Sequence, residues 1–286
     1  MLYRSFTRSD EINQAYNPML GKDPQQVIGE YVRLSRETLA VLGDARTEQY
    51  GPTLAEHVDV FPAQQQRGGV PLHIFLHGGY WRACSSKEFA FVARQLVPAG
   101  ITTLVVNYAL CPQVSMSEIV RQARASVAWA WHNAEKLGGD RNNITVSGHS
   151  AGGHLVGMLL STDWESEYGL PADVLKGAVA ISGLFDLGPF PHSWLQPDLQ
   201  LTEREVEQLS PLKLEPVYKV PVRLRLGALE SDEFHRQSST YLDHLGTRGV
   251  EVQCEAIPDT DHYTVLDEMY REGGVLAEDV LQLAGV

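Results

Sequence analysis

Ser150 stands in Gly148-His149-Ser150-Ala151-Gly152, between an apolar, β-branched run (Ile144, Val146) and an amphipathic one (Leu155, Val156, Met158, Leu159, Leu160). Strand, G-x-S-x-G, helix is the context in which this pentapeptide carries a nucleophilic serine on a sharp turn. The turn needs small neighbours, and glycines two before and two after the serine let the backbone crowd together without a Cβ clash. Ser150 is then held at the N-terminus of a helix, where the amide of Ala151 can face developing negative charge. A serine hydroxyl is a weak nucleophile until a base takes its proton. The base, and an acid to orient it, must come from elsewhere in the chain.

Ten histidines are available, and position separates them. His235 and His244 fall within an expected helix, His57 and His73 in or beside strands that precede the serine, and His192 in a proline-rich excursion. His262 follows the last expected strand, in Pro258-Asp259-Thr260-Asp261-His262-Tyr263, where a loop can hang it over Ser150. The order nucleophile, acid, histidine is that of an α/β-hydrolase. The acid then lies between Ser150 and His262, on a loop leaving a strand. Glu230 and Asp232 both follow the apolar run 224–226; Glu230 is preferred as nearer the strand end, Asp232 is the alternative, and Asp186, after the preceding strand, is the outsider. His77-Gly78-Gly79-Tyr80-Trp81 supplies the electrophilic side. Two glycines directly after a strand let backbone N–H groups face a cleft, and with the Ala151 amide they can form an oxyanion hole.

The elements that must position these groups alternate. Residues 1–46 read as a helical preface, in which Asp23-Pro24 is a cap and first helical position, followed by Val27, Ile28, Tyr31, Val32, Leu34, Leu39 and Leu42 at mostly helical spacing. Short strands are expected at 49–52 and 57–62, a polar turn at 64–69, and an apolar strand at 72–76. A helix at 86–97, a near-continuous apolar strand at 101–108 and a long helix at 116–136 lead to the serine turn. Leu175–Ile181 is a further strand. The stretch 187–212 is irregular, with Pro189, Pro191 and Pro197 and the capping-box pattern Thr202-Glu203-Arg204-Glu205. A strand at 220–226, a helix at 233–245, a strand at 250–257 and a helical region at 264–284, interrupted by Gly273-Gly274, complete the chain. This alternation implies one α/β domain over 1–286, with a mostly parallel sheet covered by helices on both faces and strand C-termini along one edge. Segments 1–46 and 187–212 are expected to form a small cap.

The combination of H-G-G-x-W at 77–81, G-H-S-A-G-G at 148–153, the acid loop Gly227-Ala228-Leu229-Glu230-Ser231-Asp232 and Asp261-His262-Tyr263 resembles the kynurenine formamidase (arylformamidase) branch of the hormone-sensitive-lipase-like α/β-hydrolases. Tyr16-Asn17-Pro18, Ser182-Gly183-Leu184-Phe185-Asp186-Leu187 and Leu209-Ser210-Pro211 extend the likeness over most of the chain. The resemblance implies an α/β-hydrolase fold with Ser150 as nucleophile and His262 as base. It implies Glu230 as acid, where aspartate is commoner, which keeps Asp232 in play, and Tyr263 where phenylalanine is frequent. The amides of Gly78, Gly79, Tyr80 and Ala151 become the oxyanion hole; Tyr80, Trp81 and His149 are the candidate pocket walls, with plain core packing as the other reading of the two strand-end aromatics. The implied reaction is hydrolysis of N-formyl-L-kynurenine to L-kynurenine and formate through an acyl-enzyme, without metal or cofactor. A short-chain carboxylesterase is the alternative, and a non-catalytic binding protein of the same fold a remote one.

Bulk properties agree with a small-molecule enzyme. The 286 residues, 43% hydrophobic and 21% charged, suffice for a full core. A net charge of −13 disfavours a nucleic-acid partner or an anionic membrane surface. Cys84, Cys111 and Cys254 are odd in number and show no C-x-x-C, so neither a disulfide framework nor a zinc site is expected, and a reducing compartment is. The first residues lack the apolar core of a signal peptide, and no apolar run approaches the ~20 residues of a membrane span. The expected setting is therefore cytoplasmic, the expected partner a small-molecule substrate. A homodimer is the one protein partner considered, and spacing is silent on it.

Overall fold

The computed structural model describes residues 1–64 and 69–286. Its strands are β1 (Arg46–Gln49), β2 (His57–Phe61), β3 (Val70–Leu76), β4 (Thr102–Val106), β5 (Gly139–His149), β6 (Leu175–Ile181), β7 (Val222–Gly227) and β8 (Val252–Ile257). They form one sheet in the order β1-β2-β4-β3-β5-β6-β7-β8. From β4 to β8 all neighbours are parallel; β2 runs antiparallel to β4, and β1 to β2, at one edge. This is the α/β-hydrolase architecture expected above.

The two-residue period of the strands sorts their side chains onto two cores. Leu72, Ile74 and Leu76 of β3 join Ile144 and Val146 of β5 on one face, under the helices Met116–Asn133, Ala151–Leu160 and Asp232–Thr247. Phe75, Val105, Val179 and Ile181 face the other way, against the helices Pro24–Leu42 and Val275–Ala284 and the segment Ser86–Leu96. Each such side chain, removed from water, contributes roughly 1.5–3 kcal/mol before the entropy of ordering it. The parallel register aligns the strand ends: Leu76 lies beside Gly148, His149 beside Ile181 and Gly227 beside Ile257. The loops that carry the suspected chemistry therefore leave the sheet along one edge.

Local rules account for most boundaries. Asp23 accepts a hydrogen bond from the Gln25 amide at 2.9 Å ahead of Pro24, and Thr202 and Glu205 form the expected capping box. Three expectations shift. The first strand ends at Gln49 rather than starting there, because Gly51 and Pro52 belong to the turn that the Tyr50 amide closes onto the Glu56 carbonyl at 2.9 Å. The stretch expected as a helix at 86–97 begins as a 3₁₀ helix, Ser86–Val92, and only Ala93–Leu96 is α-helical. Its start is tied sideways into the sheet, with the Ser86 hydroxyl donating to Asp59 at 2.7 Å and its backbone amide donating to Asn107 Oδ1 at 3.1 Å. The turn expected at 64–69 falls largely on 65–68, outside the described residues. Among the described residues no helix is long and apolar enough to cross a membrane.

Candidate active site

Ser150 links β5 to the helix Ala151–Leu160 with φ +56° and ψ −113°, a conformation that non-glycine residues rarely adopt. The surrounding glycines make it attainable. A Cβ on Gly148 would meet the Gly152 carbonyl oxygen at 2.3 Å, and one on Gly152 would lie 1.9 Å from the Leu76 carbonyl oxygen. A Cβ on Gly153 would approach Cα of Gly183 to 2.8 Å. The turn is pinned from below, the Ser150 amide donating to the Ile181 carbonyl at 2.8 Å and the Ser150 carbonyl accepting from the His154 amide at 3.0 Å. Ala151 is thus the first helical residue, and its N–H has no carbonyl one turn earlier to receive it.

The turn after β3 closes against this elbow. A Cβ on Gly78 would lie 2.9 Å from His149 Nδ1 and 3.3 Å from Ser150 Cβ, so only glycine lets the backbone approach the serine this closely. Gly79 has φ +117°, and its missing Cβ would collide with the Ala83 carbonyl at 2.1 Å. Tyr80 and Trp81 follow with φ +49° and +57°. Gly78, Gly79 and Tyr80 line the same cavity as Ser150, and Ala151 follows the serine at the helix start.

His262 lies beyond β8 and enters that cavity. Its Nδ1 is 2.7 Å from Glu230 Oε2, and both side chains are buried. The other oxygen of Glu230 accepts from Ser182 Oγ at 2.5 Å and from the Gly227 amide at 2.7 Å. The carboxylate is therefore held by three protein donors. Asp232 is instead exposed in the first turn of Asp232–Thr247, and Asp186 accepts from the Tyr3 hydroxyl at 2.5 Å. Geometry thus joins Glu230, and neither alternative, to His262.

Burial disposes of several other histidines as bases. It pushes His73 down to about 3, and His77 and His154 down to about 4. Their ring nitrogens serve structure: His73 bonds Thr145 and Ser147, His77 the Gly78 carbonyl, and His154 the Leu209 carbonyl. His149 is also buried. Burial, with His262 beside it, holds its imidazole well below the ordinary range, and its Nε2 donates to the His262 carbonyl at 2.8 Å.

The cavity measures about 540 Å³. Tyr80 and His149 line it, as expected, but Trp81 does not: it is fully buried, its indole N–H donating to His154 Nδ1 at 3.2 Å and its ring packed edge-on against Phe190. Two consecutive left-handed residues at 80 and 81 turn the chain sharply, so the second aromatic belongs to the core. The N-terminal segment supplies Asn17, Pro18, Met19, Pro24, Ile28 and Tyr31 to the wall, and the 187–212 excursion supplies Trp194. That segment is bolted to the acid and histidine loops: Ser231 Oγ donates to the Ala15 carbonyl at 2.5 Å, Tyr31 to the Tyr263 carbonyl at 3.0 Å, and Lys22 pairs with Asp261 at 2.6 Å.

Sequence reasoning missed Ser182. It follows a strand end with φ +49°, its amide bonds the Arg225 carbonyl at 2.7 Å, and this unusual turn aims its hydroxyl at Glu230. The only available signal was a Ser-Gly pair after an apolar strand. Among the described residues no cluster of three His, Cys, Asp or Glu side chains is arranged to hold a metal ion. A buried imidazole–carboxylate pair, a strained serine and a glycine turn around one cavity form a constellation suited to acyl transfer.

Comparison with known proteins agrees with this chemistry. The BD-FAE family model matches residues 58–179, from β2 to near the end of β6. The kynurenine formamidase of Salmo salar is 32% identical over 289 residues, covering 96% of this chain and 96% of that protein. The kynurenine formamidase of Danio rerio is 32% identical over 82% of this chain and 80% of its own length. Among solved structures, a protein of Silicibacter sp. TM1040 matches with a TM-score of 0.81 at 24% identity, covering 94% of this chain and 98% of that one. An esterase from Pyrobaculum calidifontis matches with a TM-score of 0.71 at 20% identity over 97% of each chain, a likeness of fold. Taken with the full-length similarity to the fish enzymes, the site and the sheet place this hydrolase: the chain has the α/β-hydrolase fold and belongs to the kynurenine formamidase family.

Proposed function

We propose that the protein hydrolyses N-formyl-L-kynurenine to L-kynurenine and formate, with Ser150 as nucleophile, His262 as general base and Glu230 as the acid that orients it. The observation that carries the residue roles is the buried His262–Glu230 pair, 2.7 Å apart, in the cavity that Ser150 enters. Glu230 accepts from Nδ1, so the lone pair of His262 lies on Nε2, the nitrogen left to take a proton from Ser150. Ser150 Oγ attacks the formyl carbon and His262 takes its proton. The carbonyl oxygen becomes an oxyanion that the amides of Gly78, Gly79, Tyr80 and Ala151 are grouped to receive. His262 then returns the proton to the leaving arylamine nitrogen as the C–N bond breaks. Water, deprotonated by His262 in turn, releases formate from the serine ester.

The mostly apolar cavity wall suits an aryl group, and the N-terminal segment together with Trp194 acts as the cap that selects it. Three free cysteines favour a reducing, cytoplasmic setting, and the partner is the small-molecule substrate. A second reading, a short-chain carboxylesterase using the same residues, draws on the 31% identity over 48% of this chain with esterase LipC of Mycobacterium tuberculosis. The two are separated by kcat/KM for N-formyl-L-kynurenine beside p-nitrophenyl acetate. Preference for the formamide upholds the first reading; ester turnover with negligible formamide cleavage replaces it with the second.

A further inference from the structure

We propose that Arg82 is a specificity-determining residue whose guanidinium binds the carboxylate of a substrate that carries an amino-acid head on its aryl formamide; this rests on the formamidase reading above. Arg82 lines the cavity that Ser150, His262 and Trp194 share, and among the described residues of that wall it is the one arginine or lysine. Its place follows from the glycine turn. The amides of Arg82 and Ala83 donate to the Gly79 carbonyl at 3.1 and 3.0 Å, so the chain doubles back directly after the two glycines. The left-handed residues Tyr80 and Trp81 then sort the side chains: the Trp81 ring enters the core, while Tyr80 and Arg82 on either side of it line the cavity. A four-residue turn keeps its end Cα atoms within about 7 Å, so the Arg82 side chain starts within that distance of Gly79.

That distance matches the substrate. In N-formyl-L-kynurenine about seven bonds separate the carboxylate from the formyl carbon that must meet Ser150, a span of roughly 7–9 Å at about 1.5 Å per bond. The apolar wall serves the aryl ring, but a carboxylate needs a partner. On a chain of net charge −13 an anionic head is repelled unless a local cation meets it. Glu88, the carboxylate on the same wall, is drawn off to Ser85, whose amide and hydroxyl each donate to it at 2.8 Å. Arg82 itself is tied through Nη1 to Asp198, in the short helix Gln196–Leu199 of the cap, with the two side chains 40% and 32% exposed. A pair so exposed is held weakly and exchanges partners at little cost. The other N–H donors of the guanidinium form the planar fork that takes a second carboxylate, and Asp198 keeps the group turned toward the cavity until one arrives.

N-formyl-L-kynurenine and N-formylkynuramine, which has hydrogen in place of the carboxylate, isolate the contact, and the ratio of their kcat/KM values does not depend on the fraction of a variant that is folded. In the wild type the ratio is expected to favour the carboxylate by about ten- to hundredfold, the effect of hydrogen bonds to a charged group. Arg82→Gln is expected to bring the ratio to within about threefold of one, with most of the loss in KM, because the head is bound alike in the ground and transition states. Asp198→Asn removes the competing carboxylate and is expected to keep the wild-type ratio or raise it. A wild-type ratio near one, or an Arg82→Gln enzyme that loses both substrates equally, would overturn the proposal. So would a ratio that collapses in Asp198→Asn as it does in Arg82→Gln, since the pair would then be only a strut for the cap. Wild-type enzyme that cleaves neither formamide but turns over p-nitrophenyl acetate would instead remove the formamidase reading, and the proposal with it.

Discussion

Replacing Glu230 by glutamine tests the acid with almost no change of shape. One carboxylate oxygen takes the Ser182 hydroxyl at 2.5 Å and the Gly227 amide at 2.7 Å, and the other faces His262 Nδ1 at 2.7 Å. The amide of glutamine has one accepting oxygen and one donating nitrogen. If the oxygen stays with Ser182 and Gly227, the NH₂ group faces His262, which must then accept through Nδ1 and carry its hydrogen on Nε2. That tautomer has no lone pair for the proton of Ser150. If the amide is turned round, the backbone N–H of Gly227 faces a donor in a dry site, a loss of about 1–3 kcal/mol. The first arrangement is therefore favoured and the base is held in the wrong form. An asparagine in place of a triad aspartate lowers kcat by about 10⁴, so a fall of roughly 10³–10⁴ is expected here, about 4–5.5 kcal/mol of transition-state stabilisation. The assay is kcat on N-formyl-L-kynurenine for Glu230→Gln and Asp232→Asn side by side, with thermal unfolding of each variant as the control for folding. Asp232, exposed at a helix start, is expected to matter little. A Glu230→Gln enzyme that keeps more than about a tenth of wild-type kcat, or an Asp232→Asn enzyme that loses more than it does, would refute the orientation argument.

Ser150→Ala is expected to abolish turnover and covalent labelling by a serine-reactive phosphonate while the unfolding temperature stays close to wild type; retained turnover or labelling would contradict it. Gly152→Ala places a Cβ 1.9 Å from the Leu76 carbonyl oxygen and 2.8 Å from that of His77. Both obstacles are backbone, so a loss of at least about 1–3 kcal/mol in urea unfolding is expected, together with loss of activity as the elbow and the glycine turn are forced apart. A fully stable, fully active variant would show that the close approach is not required. Burial of Asp267, with Glu30, Glu268 and Asp261 around it, pushes its carboxyl up from 3.8 to about 6. Between those values the folded chain binds more protons at this site than the unfolded one, so its contribution is most favourable below 3.8 and is lost as pH rises through 6. Asp267→Asn is therefore expected to raise the unfolding temperature relative to wild type at pH 7.5, with the difference vanishing at pH 4; an equal difference at both pH values would show that the carboxyl does not titrate as described.

The parts of the molecule governed by short-range rules were legible in the sequence. Alternation of apolar runs named the parallel strands, because a strand covered on both faces has no polar side to show. Thr202-x-x-Glu205 and Asp23-Pro24 named helix starts, because a cap is a bond between neighbours. The serine turn could be read because its glycines are demanded by contacts within a few residues of Ser150. The 3₁₀ start at Ser86–Val92 could not, since what bends it is a side chain on β2, Asp59, and another just after β4, Asn107. Trp81 escaped for the same reason: its partners His154 and Phe190 lie 73 and 109 residues away, and only the fold makes it core rather than pocket wall.

The choice of acid shows where local reading ends and packing takes over. Glu230 and Asp232 sit on one loop, two residues apart, both carboxylates and both after the same strand, and spacing alone ranks them weakly. What separates them is a register: β7 reaches Gly227 opposite Ile257 of β8, so the loop after β7 and the loop bearing His262 depart side by side. Glu230 is then caught between Ser182, the Gly227 amide and His262, whereas Asp232 has already entered the next helix and faces water. The same register explains why glutamate can serve where a shorter aspartate is usual. Ser182 reaches in from the turn after β6 and holds the far oxygen, so the added methylene is kept from swinging free. An Asp at 230 would bring its carboxylate back by about one carbon–carbon bond, and could hold His262 only by giving up Ser182 or the Gly227 amide. The departure from the usual acid and the serine directly after the Ala180-Ile181 strand end are one feature, a long acid with a brace built for its length.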